Sequence, residues 1–452
     1  MEQVTGLAPS GSLGSGFNLA AFQNALDAGP DFIGQDAGST DMGPYYLGTA
    51  APFLPRASYK HDLGLMLDAA REREIPLLVG SCLTSGTRPQ LDLTVDIVSE
   101  LAQERGHSFT MAVIDAELDK EFLKRRLGDG GIDSLGPGED LTPDLVDRCP
   151  HIVAQMGMEP LIHALDAGAD VVIAGRACDD AVFAAFPVMK GFDRGLSLHM
   201  GKILECAGLS AIPCDLAEPL LGRIESDGFL VWPGDPNHRC TSLSVAGHSL
   251  YERGDPGIQP GPGGTSDLDH ATYRDVDRRT VRVTGSRFIP EPVYRVKLEG
   301  AEFVGYRSIV IVGVRDPVLI GQIDDLLQEM RDHADARFSE CGPGAFRIDF
   351  HVYGKNAVMR HLEPVAGADP HEIGILINVV ANDQDLASAV AMYVRGTLQH
   401  ASYPGIIATA GNLAYPFSPF SVPVGPAYRF AVYHLLPLED PCECFPMQLV
   451  QV

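Results

Sequence analysis

The segment Gln155–Ala174, QMGMEPLIHALDAGADVVIA, predicts a turn, a helix and a buried strand in succession. Pro160 suits the first turn of a helix, and Gly168 suits the residue that ends one. The continuous apolar run in Asp170–Ala174 is typical of a strand that is covered on both faces in a parallel sheet. This helix–strand unit therefore indicates an α/β fold.

The same alternation of apolar runs and amphipathic segments extends from Phe17 to about Ile212. We therefore expect residues 1–214 to form an α/β domain with a mostly parallel sheet. The predicted strands are Asp31–Gln35, Pro76–Val79, Phe109–Ile114, Ile152–Ala154 and Asp170–Ala174. The predicted helices are Leu19–Ala28, Lys60–Arg73, Leu93–Glu104 and Glu159–Ala167.

A different pattern begins near Asp215, where Pro and Gly turns separate short β-branched or alternating runs. We expect residues 215–452 to form an α+β domain with an antiparallel or mixed sheet. Asp316–Arg337 and Gln384–Leu398 have helical spacing, and Asp255–Ser266 is expected to be a loop because it is rich in Gly and Pro. The predicted strands are Gly228–Trp232, Cys240–Leu250, Val281–Gly285, Tyr294–Leu298, Ile309–Val314, Phe346–Tyr353 and Tyr428–Leu435.

Composition excludes several classes of partner. The 452 residues include 60 acidic and 34 basic ones, and the net charge of −26 opposes binding to nucleic acid or to anionic lipid. The nine cysteines lack the paired spacing of a zinc ribbon or a secreted disulfide framework. Neither a signal peptide nor a long apolar run is seen. We expect a cytoplasmic protein without nucleic-acid or membrane partners.

Polar residues crowd the loop after the first predicted strand. The sequence Asp36–Tyr46, DAGSTDMGPYY, combines carboxylates, hydroxyls and phenols. Loops at the carboxyl ends of strands line clefts in open α/β sheets. The alternative is that the aspartates make turn hydrogen bonds and the tyrosines pack. The candidate substrate-binding residues in this loop are Asp36, Ser39, Thr40, Asp41 and Tyr45.

Arg176, Asp179 and Asp180 follow the predicted strand Asp170–Ala174. The planar guanidinium of Arg176 suits a bidentate contact with a substrate carboxylate, and the alternative is an ion pair with one of the two aspartates. One aspartate can cap the next helix, which leaves the other for acid–base work or for a divalent metal. We assign Asp180 to orientation of the reacting groups and leave the metal open.

A predicted helix, Ser197–Ala207, places His199, Lys202 and Glu205 or Cys206 on one face, since residues three and four apart are neighbours. A desolvated lysine can act as a base or as a carbonyl-polarising cation, with Glu205 as its counter-ion. His199 is a second candidate acid or base. The alternatives are a buried structural histidine and a surface Lys–Glu pair.

The N-terminal Gly11–Gly16, GSLGSG, resembles a phosphate-binding loop. It lacks the Lys-Ser/Thr ending of a P-loop, the glycine spacing of a dinucleotide site and a convincing preceding strand. We expect no nucleotide cofactor.

Further candidates lie elsewhere in the chain. Asn412, in the polar turn Thr409–Asn412, is a candidate for positioning a substrate, and the alternative is a rigid seam between the two expected domains. Cys178, Cys206 and the serines of Ser81–Ser85 are candidate nucleophiles, although no surrounding pattern matches a known nucleophile motif.

Several blocks in one order resemble the acyclic terpene utilisation family, whose members often accompany enzymes of organic-acid and acyl-CoA breakdown. The resemblance covers most of the chain. It implies that a small domain carried by some relatives would be a separate subunit here. The blocks are Asp36–Tyr46, Pro76–Gly86, Ala169–Asp179, His199–Cys206, Cys240–Tyr251 and Thr409–Pro419.

The residues and the resemblance together predict an enzyme that acts on a small carboxylic acid or its thioester as a hydratase, lyase or isomerase. Proton removal beside a carboxylate needs a base, an acid and a cation that stabilises the developing charge. The alternatives are an accessory subunit that binds an acyl ligand, and a hydrolase or acyl transferase with a Cys or Ser nucleophile. We also expect a homo-oligomer.

Overall fold

The structure, a computed structural model, describes residues 2–136, 138–251, 254–365, 367, 370–407 and 412–452. The chain divides into two compact units. Unit 1 comprises Met1–Glu302 and Phe430–Val452, and unit 2 comprises Phe303–Arg429. The expected boundary after residue 214 lies within unit 1.

Unit 1 contains most of the helices and strands. Its helices are α1 (Leu19–Asp27), α2 (Pro44–Thr49), α3 (Arg56–Glu72), α4 (Arg88–Arg105), α5 (Lys120–Asp129), α6 (Pro143–Arg148), α7 (Glu159–Asp166), α8 (Asp179–Met189), α9 (Arg194–Leu204) and α10 (Ser242–Leu250). Its strands are β1 (Val4–Ala8), β2 (Phe32–Asp36), β3 (Leu77–Gly80), β4 (Thr110–Ile114), β5 (Asp133–Ser134), β6 (Ile152–Ala154), β7 (Val171–Ala174), β8 (Ala211–Ile212), β9 (Leu220–Ile224), β10 (Phe229–Pro233), β11 (Arg239–Cys240), β12 (Ile258–Gly261), β13 (Gly264–Asp267), β14 (Thr272–Asp275), β15 (Val281–Thr284), β16 (Arg287–Pro290) and β22 (Met447–Gln451).

Unit 2 has α11 (Pro317–Gly321), α12 (Ile323–Arg337), α13 (Gln384–Gln399), β18 (Phe346–Tyr353), β19 (Ile373–Ala381) and β20 (Leu413–Ala414). Two long strands, β17 (Tyr294–Val314) and β21 (Ser421–Leu438), run from one unit into the other. In the described part of the chain, no helix has the combined length and apolar character that crossing a membrane requires.

A ten-stranded mixed sheet forms the centre of unit 1, in the order β14–β15–β10–β9–β1–β2–β3–β7–β4–β22. The five strands from β1 to β4 in this order are parallel. The flanking strands pair antiparallel. Every residue of β2, β3 and β7 is buried, as expected for parallel strands covered on both faces. The α/β character of the first half and its parallel strands are therefore confirmed.

The strand β1 corrects our expectation that no strand precedes the glycine-rich loop. It pairs with β2 on one side and β9 on the other, and all five of its residues are buried. Gly6 lowers the strand propensity of this segment. A glycine is required there because a Cβ atom would lie 2.5 Å from the ring of Phe32.

The strand β6 was predicted correctly in its bounds but wrongly as part of the parallel sheet. Ile152–Ala154 pairs antiparallel with Leu298–Gly300 of β17. A short apolar run indicates that a strand is buried, but it does not indicate which strand it pairs with.

The predicted strand Cys240–Leu250 is wrong, because this segment forms helix α10. Thr241 and Ser244 make a reciprocal capping box at its start. These local hydrogen bonds stabilise a helix start despite the alternating apolar pattern. His248 consequently lies in the last turn of a helix and not on a strand face.

The expected loop Asp255–Ser266 also contains regular structure. Its residues form the hairpin of β12 and β13, and β13 continues the pairing to β16. Pro260 is tolerated because β12 is an edge strand of this three-stranded sheet.

Unit 2 combines an antiparallel sheet with helices. β19 pairs with β18 and with the Tyr306–Val314 part of β17. α12 and α13 contribute apolar side chains to the same buried cluster as these strands. The predicted helix Asp316–Arg337 is divided at Gln322 into α11 and α12, and the predicted strands Tyr294–Leu298 and Ile309–Val314 are parts of β17.

Candidate functional site

Three loops of the candidate site follow the carboxyl ends of neighbouring parallel strands. Asp36 is the last residue of β2, Ser81 follows β3, and Arg176 lies just after β7. Because these strands are consecutive in the sheet, their loops converge at one edge. The loops after β2 and β7 border a cavity of about 630 Å³, which we name the strand-end cavity. Five predicted site residues line it, namely Ser39, Thr40, Asp41, Arg176 and Lys202.

The guanidinium of Arg176 is buried and held by two carboxylates. Its Nε donates to Glu299 at 2.7 Å, and Nη1 approaches Asp179 at 3.3 Å and Ser81 Oγ at 3.0 Å. Burial alone would lower the pKa of Arg176, but the charges of Glu299 and Asp179 outweigh it and raise that pKa. Among the described residues, none accepts a hydrogen bond from Nη2. The arginine is thus a fixed cation at the cavity.

Glu299 links three groups of the site. One of its carboxylate oxygens accepts from Arg176, and the other accepts from Thr40 at 2.7 Å and lies 3.0 Å from Lys297 Nζ. Burial would raise the pKa of Glu299, but the charges of Arg176 and Lys297 lower it to about 2. Glu299 is therefore ionised over the whole physiological pH range.

Glu299 and Lys297 are functional candidates that the sequence analysis missed, together with Arg295. All three lie on β17, and Lys297 and Arg295 line the strand-end cavity. They occupy alternate positions of the strand and so share one face. These residues could have been identified from the sequence, because charged side chains occupy every second position of the predicted strand and its continuation.

A cluster of three carboxylates, two of them buried, lies beside Arg176. One oxygen from each of Asp36, Asp179 and Glu205 lies within 4.8 Å of the others. Burial, followed by the charges of Asp179 and Glu205, raises the pKa of Asp36 well above its ordinary value. Asp36 Oδ1 has no hydrogen-bond partner among the described residues. Such a cluster can hold a divalent cation of the magnesium type or a shared proton.

Lys202 and Glu205 form a buried ion pair at the end of α9. Lys202 Nζ contacts Glu205 Oε1, and their side chains are only 5% and 7% exposed. Burial and then the charge of Asp179 raise the pKa of Glu205 to about 7, although Lys202 opposes this. Lys202 lines the strand-end cavity, and Glu205 is the first residue after the helix. This pair is suited to proton transfer near neutral pH.

Close packing of α8 and α9 brings Lys202 towards the strand ends. A Cβ atom on Gly201 would lie 2.3 Å from the carbonyl oxygen of Asp180, so only glycine permits this approach. Asp180 and Asp179 occupy the first turn of α8, where carboxylates are favourable, but neither caps it. Asp180 lines a small neighbouring pocket with Cys178 and Arg194.

His199 occupies a different environment from its neighbour Lys202. The ring is fully buried, with Nδ1 2.6 Å from Ser286 Oγ and Nε2 3.0 Å from Ser249 Oγ. It packs edge-on against Phe229 and Tyr273. It is not among the described residues that line the strand-end cavity. His199 and Lys202 were predicted to share one face of the helix, but of these two residues only Lys202 lines the cavity.

The buried ring of His199 predicts acid sensitivity. Burial lowers its pKa from 6.5 to about 3. The folded state thus favours the neutral ring of His199. The contribution of this ring to the free energy of unfolding is present above about pH 6.5 and is lost as pH falls towards 3. In His199→Gln, we expect a loss of about 1–3 kcal/mol at pH 7 and a smaller further loss on acidification than in the wild type.

Urea unfolding between pH 7 and pH 4 tests this prediction. The exposed His163 provides the control, since His163→Gln should follow the wild-type profile. Parallel acid profiles for His199→Gln and the wild type would contradict it.

Two predicted substrate-binding residues lie outside this group. Tyr45 is 40% exposed and stacks edge-on against Tyr46, in agreement with the packing alternative. Asn412 belongs to unit 2, where its amide donates to Tyr403 and it borders a cavity of that unit. The rest of its turn, Thr409–Gly411, lies outside the described residues.

The amides of the glycine-rich loop are occupied by a carboxylate of the protein. Gly14 and Gly16 both donate backbone N–H groups to Asp62 Oδ2, at 2.8 and 3.0 Å. The loop therefore binds an anion, as its glycines indicate, but the anion is a side chain of α3.

The candidate nucleophiles differ in their surroundings. Burial strongly raises the pKa of Cys206, and it raises to about 12 the pKa of Cys82, which lies between the candidate serines but was not itself a candidate. Ser81 Oγ accepts from Arg176 and donates to the carbonyl of Ala177. Cys178 lines the strand-end cavity. A thiolate at Cys206 or Cys82 is unfavourable at neutral pH.

Comparison with known protein families identifies a matching family. The model of a family described as "Acyclic terpene utilisation family protein AtuA" matches residues 63–419, which confirms the resemblance seen in the sequence. No curated protein and no solved structure matches the chain.

Proposed function

We propose a function from the premise that this chain belongs to the acyclic terpene utilisation family, whose model covers residues 63–419. The family name indicates a catabolic role. The proposed activity is proton removal or addition at the carbon next to the carboxylate or thioester carbonyl of a small organic acid, in a hydratase, lyase or isomerase reaction. The expected homo-oligomer and separate small subunit stay predictions.

The buried Lys202–Glu205 pair at the strand-end cavity carries this proposal. Proton transfer at carbon needs a base that is available near neutral pH. The ammonium of Lys202 can pass a proton to the Glu205 carboxylate, because the pKa of Glu205 is about 7. The resulting neutral amine then takes the proton from the substrate carbon as that C–H bond breaks. Reversal of these two transfers returns the proton.

Other cations of the cavity lining would bind the substrate and stabilise the developing negative charge. Arg176 offers Nη2, since its other donors are held by Glu299, Ser81 and Asp179. Lys297 and Arg295 add positive charge to the cavity lining of a chain whose net charge is −26. The cavity lining has four cations against three carboxylates, Asp41, Asp179 and Glu291, and a cavity with this many cations in an acidic chain favours an anionic substrate.

Asp36 is our candidate for the acid that protonates a leaving hydroxyl group. Burial and the nearby charges of Asp179 and Glu205 raise its pKa, so the carboxyl group keeps its proton at a higher pH than usual. A dehydration then balances: the carbon proton goes to the lysine pair, the C–O bond breaks, and water leaves with the proton of Asp36. His199 has no role in this proposal.

The test is deuterium incorporation from D₂O into small hydroxy acids, unsaturated acids and their thioesters, followed by mass spectrometry. The mechanism requires ionised Glu205, so the exchange rate should fall as pH drops through about 7. In Glu205→Gln, this inflection should disappear together with most of the rate.

The control is Glu291→Gln, because Glu291 also lines the cavity but is exposed. It should keep the inflection near pH 7. Binding of an acyl ligand without exchange on any substrate would contradict the proposal and favour the accessory acyl-binding subunit.

A further inference from the structure

A second group of side chains that could hold a metal ion lies in unit 1, just before β9 and in the turn after β10. One ligand atom from each of Glu218, Asp235 and His238 lies within 4.8 Å of the others. None of these residues is among those that line the strand-end cavity. The group, here called the β9–β10 site, takes no part in the proposed proton transfer.

Three shielded polar atoms of this group have no partner among the described residues. They are Glu218 Oε2 and both ring nitrogens of His238. The Glu218 side chain is fully buried and that of His238 is 13% exposed. Buried polar atoms are almost always satisfied by a hydrogen bond, water or an ion. Leaving three together unsatisfied would cost several times the usual penalty for one.

The distances favour a common ligand over direct hydrogen bonds. His238 Nδ1 lies 3.8 Å from Glu218 Oε2 and 3.9 Å from Asp235 Oδ2. Both separations exceed hydrogen-bond length. Two atoms that each bind a metal at about 2.0–2.2 Å are roughly 3–4 Å apart. An ion between the three side chains therefore fits with only small adjustments.

The remaining atoms of these residues already fix the turn. Glu218 Oε1 accepts from the backbone N–H of Asp235 at 2.6 Å. Asp235 Oδ1 accepts from the backbone and side chain of Asn237, and Oδ2 accepts from the side-chain amide of Asn18 at 3.4 Å. Each carboxylate thus directs its second oxygen towards His238. The ligand atoms are oriented before any ion arrives.

Arg279 holds the backbone of the same turn. Its guanidinium donates to the carbonyls of Pro233, Asp235 and His238. Its positive charge is directed at these carbonyl oxygens and stabilises the conformation in which Asp235 and His238 approach Glu218. The turn is consequently rigid, as ligands of a structural ion must be.

We infer that Glu218, Asp235 and His238 bind a divalent transition-metal ion, with Zn²⁺ as the first choice. One imidazole and two carboxylates match zinc, whereas magnesium and calcium prefer oxygen ligands alone. The two carboxylates balance the charge of the ion. The ion ties the start of β9 to the turn between β10 and β11 and so stabilises this side of the sheet.

The experiment uses the full chain after treatment with a chelator, titrated with Zn²⁺ by calorimetry and with Co²⁺ by absorption spectroscopy. We expect one ion per chain at this site and a rise of about 2–4 °C in the unfolding temperature with Zn²⁺. In His238→Ala, affinity should fall at least about tenfold and the thermal rise should disappear.

Glu218→Gln gives a second, conservative variant, since its amide oxygen can still accept from Asp235 N–H. It should fold and lose Zn²⁺ affinity. The matched control is His333→Ala, which removes an exposed histidine 3.7 Å from Glu329 and should bind Zn²⁺ as the wild type does.

Three outcomes would overturn the inference. They are equal Zn²⁺ affinity in the wild type and His238→Ala, no binding at millimolar Zn²⁺, and a Co²⁺ spectrum with the thiolate bands of cysteine ligation. None of these measurements depends on substrate turnover. The metal-binding inference can therefore fail while the proposed function holds, and the reverse.

Discussion

Replacing Lys202 with methionine is expected to lower the rate of deuterium exchange by at least about 100-fold, the usual contribution of a positioned acid or base. Methionine is similar in length and fills the buried space without a titratable group. Lys202 lowers the pKa of Glu205, so its removal raises that pKa further, and the carboxyl left behind can take up a proton instead of remaining a buried unpaired charge. The variant should therefore fold.

A second variant separates charge from proton transfer. Lys202→Arg keeps a cation beside Glu205, but a guanidinium does not release its proton near neutral pH. We expect a rate as low as that of Lys202→Met, with unchanged thermal stability. If the ammonium acted only as a fixed charge, Lys202→Arg would retain most of the activity.

The control for both variants is Lys190→Met, at the exposed end of α8. It should leave the exchange rate unchanged. A rate for Lys202→Met within about threefold of the wild type would remove this residue from the mechanism.

The parts of the site that depend on local rules were predictable from the sequence. Asp36 and Arg176 follow continuous apolar strands, and parallel strands place their carboxyl ends at one edge of a sheet. Lys202 and Glu205 are three residues apart, so helical geometry alone makes them neighbours. These rules need only a few residues on either side.

The partner of Arg176 could not be predicted in this way. Glu299 lies 123 positions further along the chain and reaches Arg176 from β17, outside the parallel sheet. Local patterns carry no information about which distant strand packs over a given loop. Without Glu299, the choice between a substrate-binding arginine and an internal ion pair could not be made.

His199 shows a second limit. Every residue from Gly195 to Leu204 in α9 is buried. A helix that is covered all round has no single functional face, so the spacing of His199 and Lys202 does not imply a shared pocket. The serines that satisfy the imidazole, Ser249 and Ser286, are distant in sequence.

The secondary structure was predicted wrongly in segments where the composition and the hydrogen bonding of the backbone favour different structures. Cys240–Leu250 has the alternation of a strand, but the capping box of Thr241 and Ser244 starts a helix. Ile258–Asp267 has the composition of a loop, but its backbone pairs in a hairpin that β16 extends. In each case hydrogen bonding outweighed composition.

Replacing Glu299 with glutamine is expected to destabilise the protein by about 3–5 kcal/mol at pH 7, the usual cost of removing one partner from a buried ion pair. Arg176 is 4% exposed and would keep Asp179 as its remaining carboxylate, at 3.3 Å. The amide oxygen of the glutamine can accept from Arg176 or from Thr40 but not from both, and Lys297 would lose the negative charge of Glu299. The glutamine has nearly the same volume, so the effect reports charge and not packing.

The pH dependence identifies the cause of this loss. The pKa of Glu299 is about 2 in the folded protein, against an ordinary value of 4.5. Its contribution is therefore present above about pH 4.5 and is lost as pH falls towards 2. The difference in unfolding free energy between the wild type and Glu299→Gln should shrink between pH 5 and pH 3 when measured by urea unfolding.

Glu291→Gln is the matched control, since this exposed glutamate lies eight positions earlier and also lines the cavity. It should change stability by less than about 0.5 kcal/mol. Equal losses in the two variants, or a loss in Glu299→Gln that stays constant down to pH 3, would mean that the Arg176–Glu299 pair does not stabilise the site. All the N–H groups of the Arg176 guanidinium could then bind a substrate carboxylate. Our proposal that only Nη2 makes this contact would be wrong.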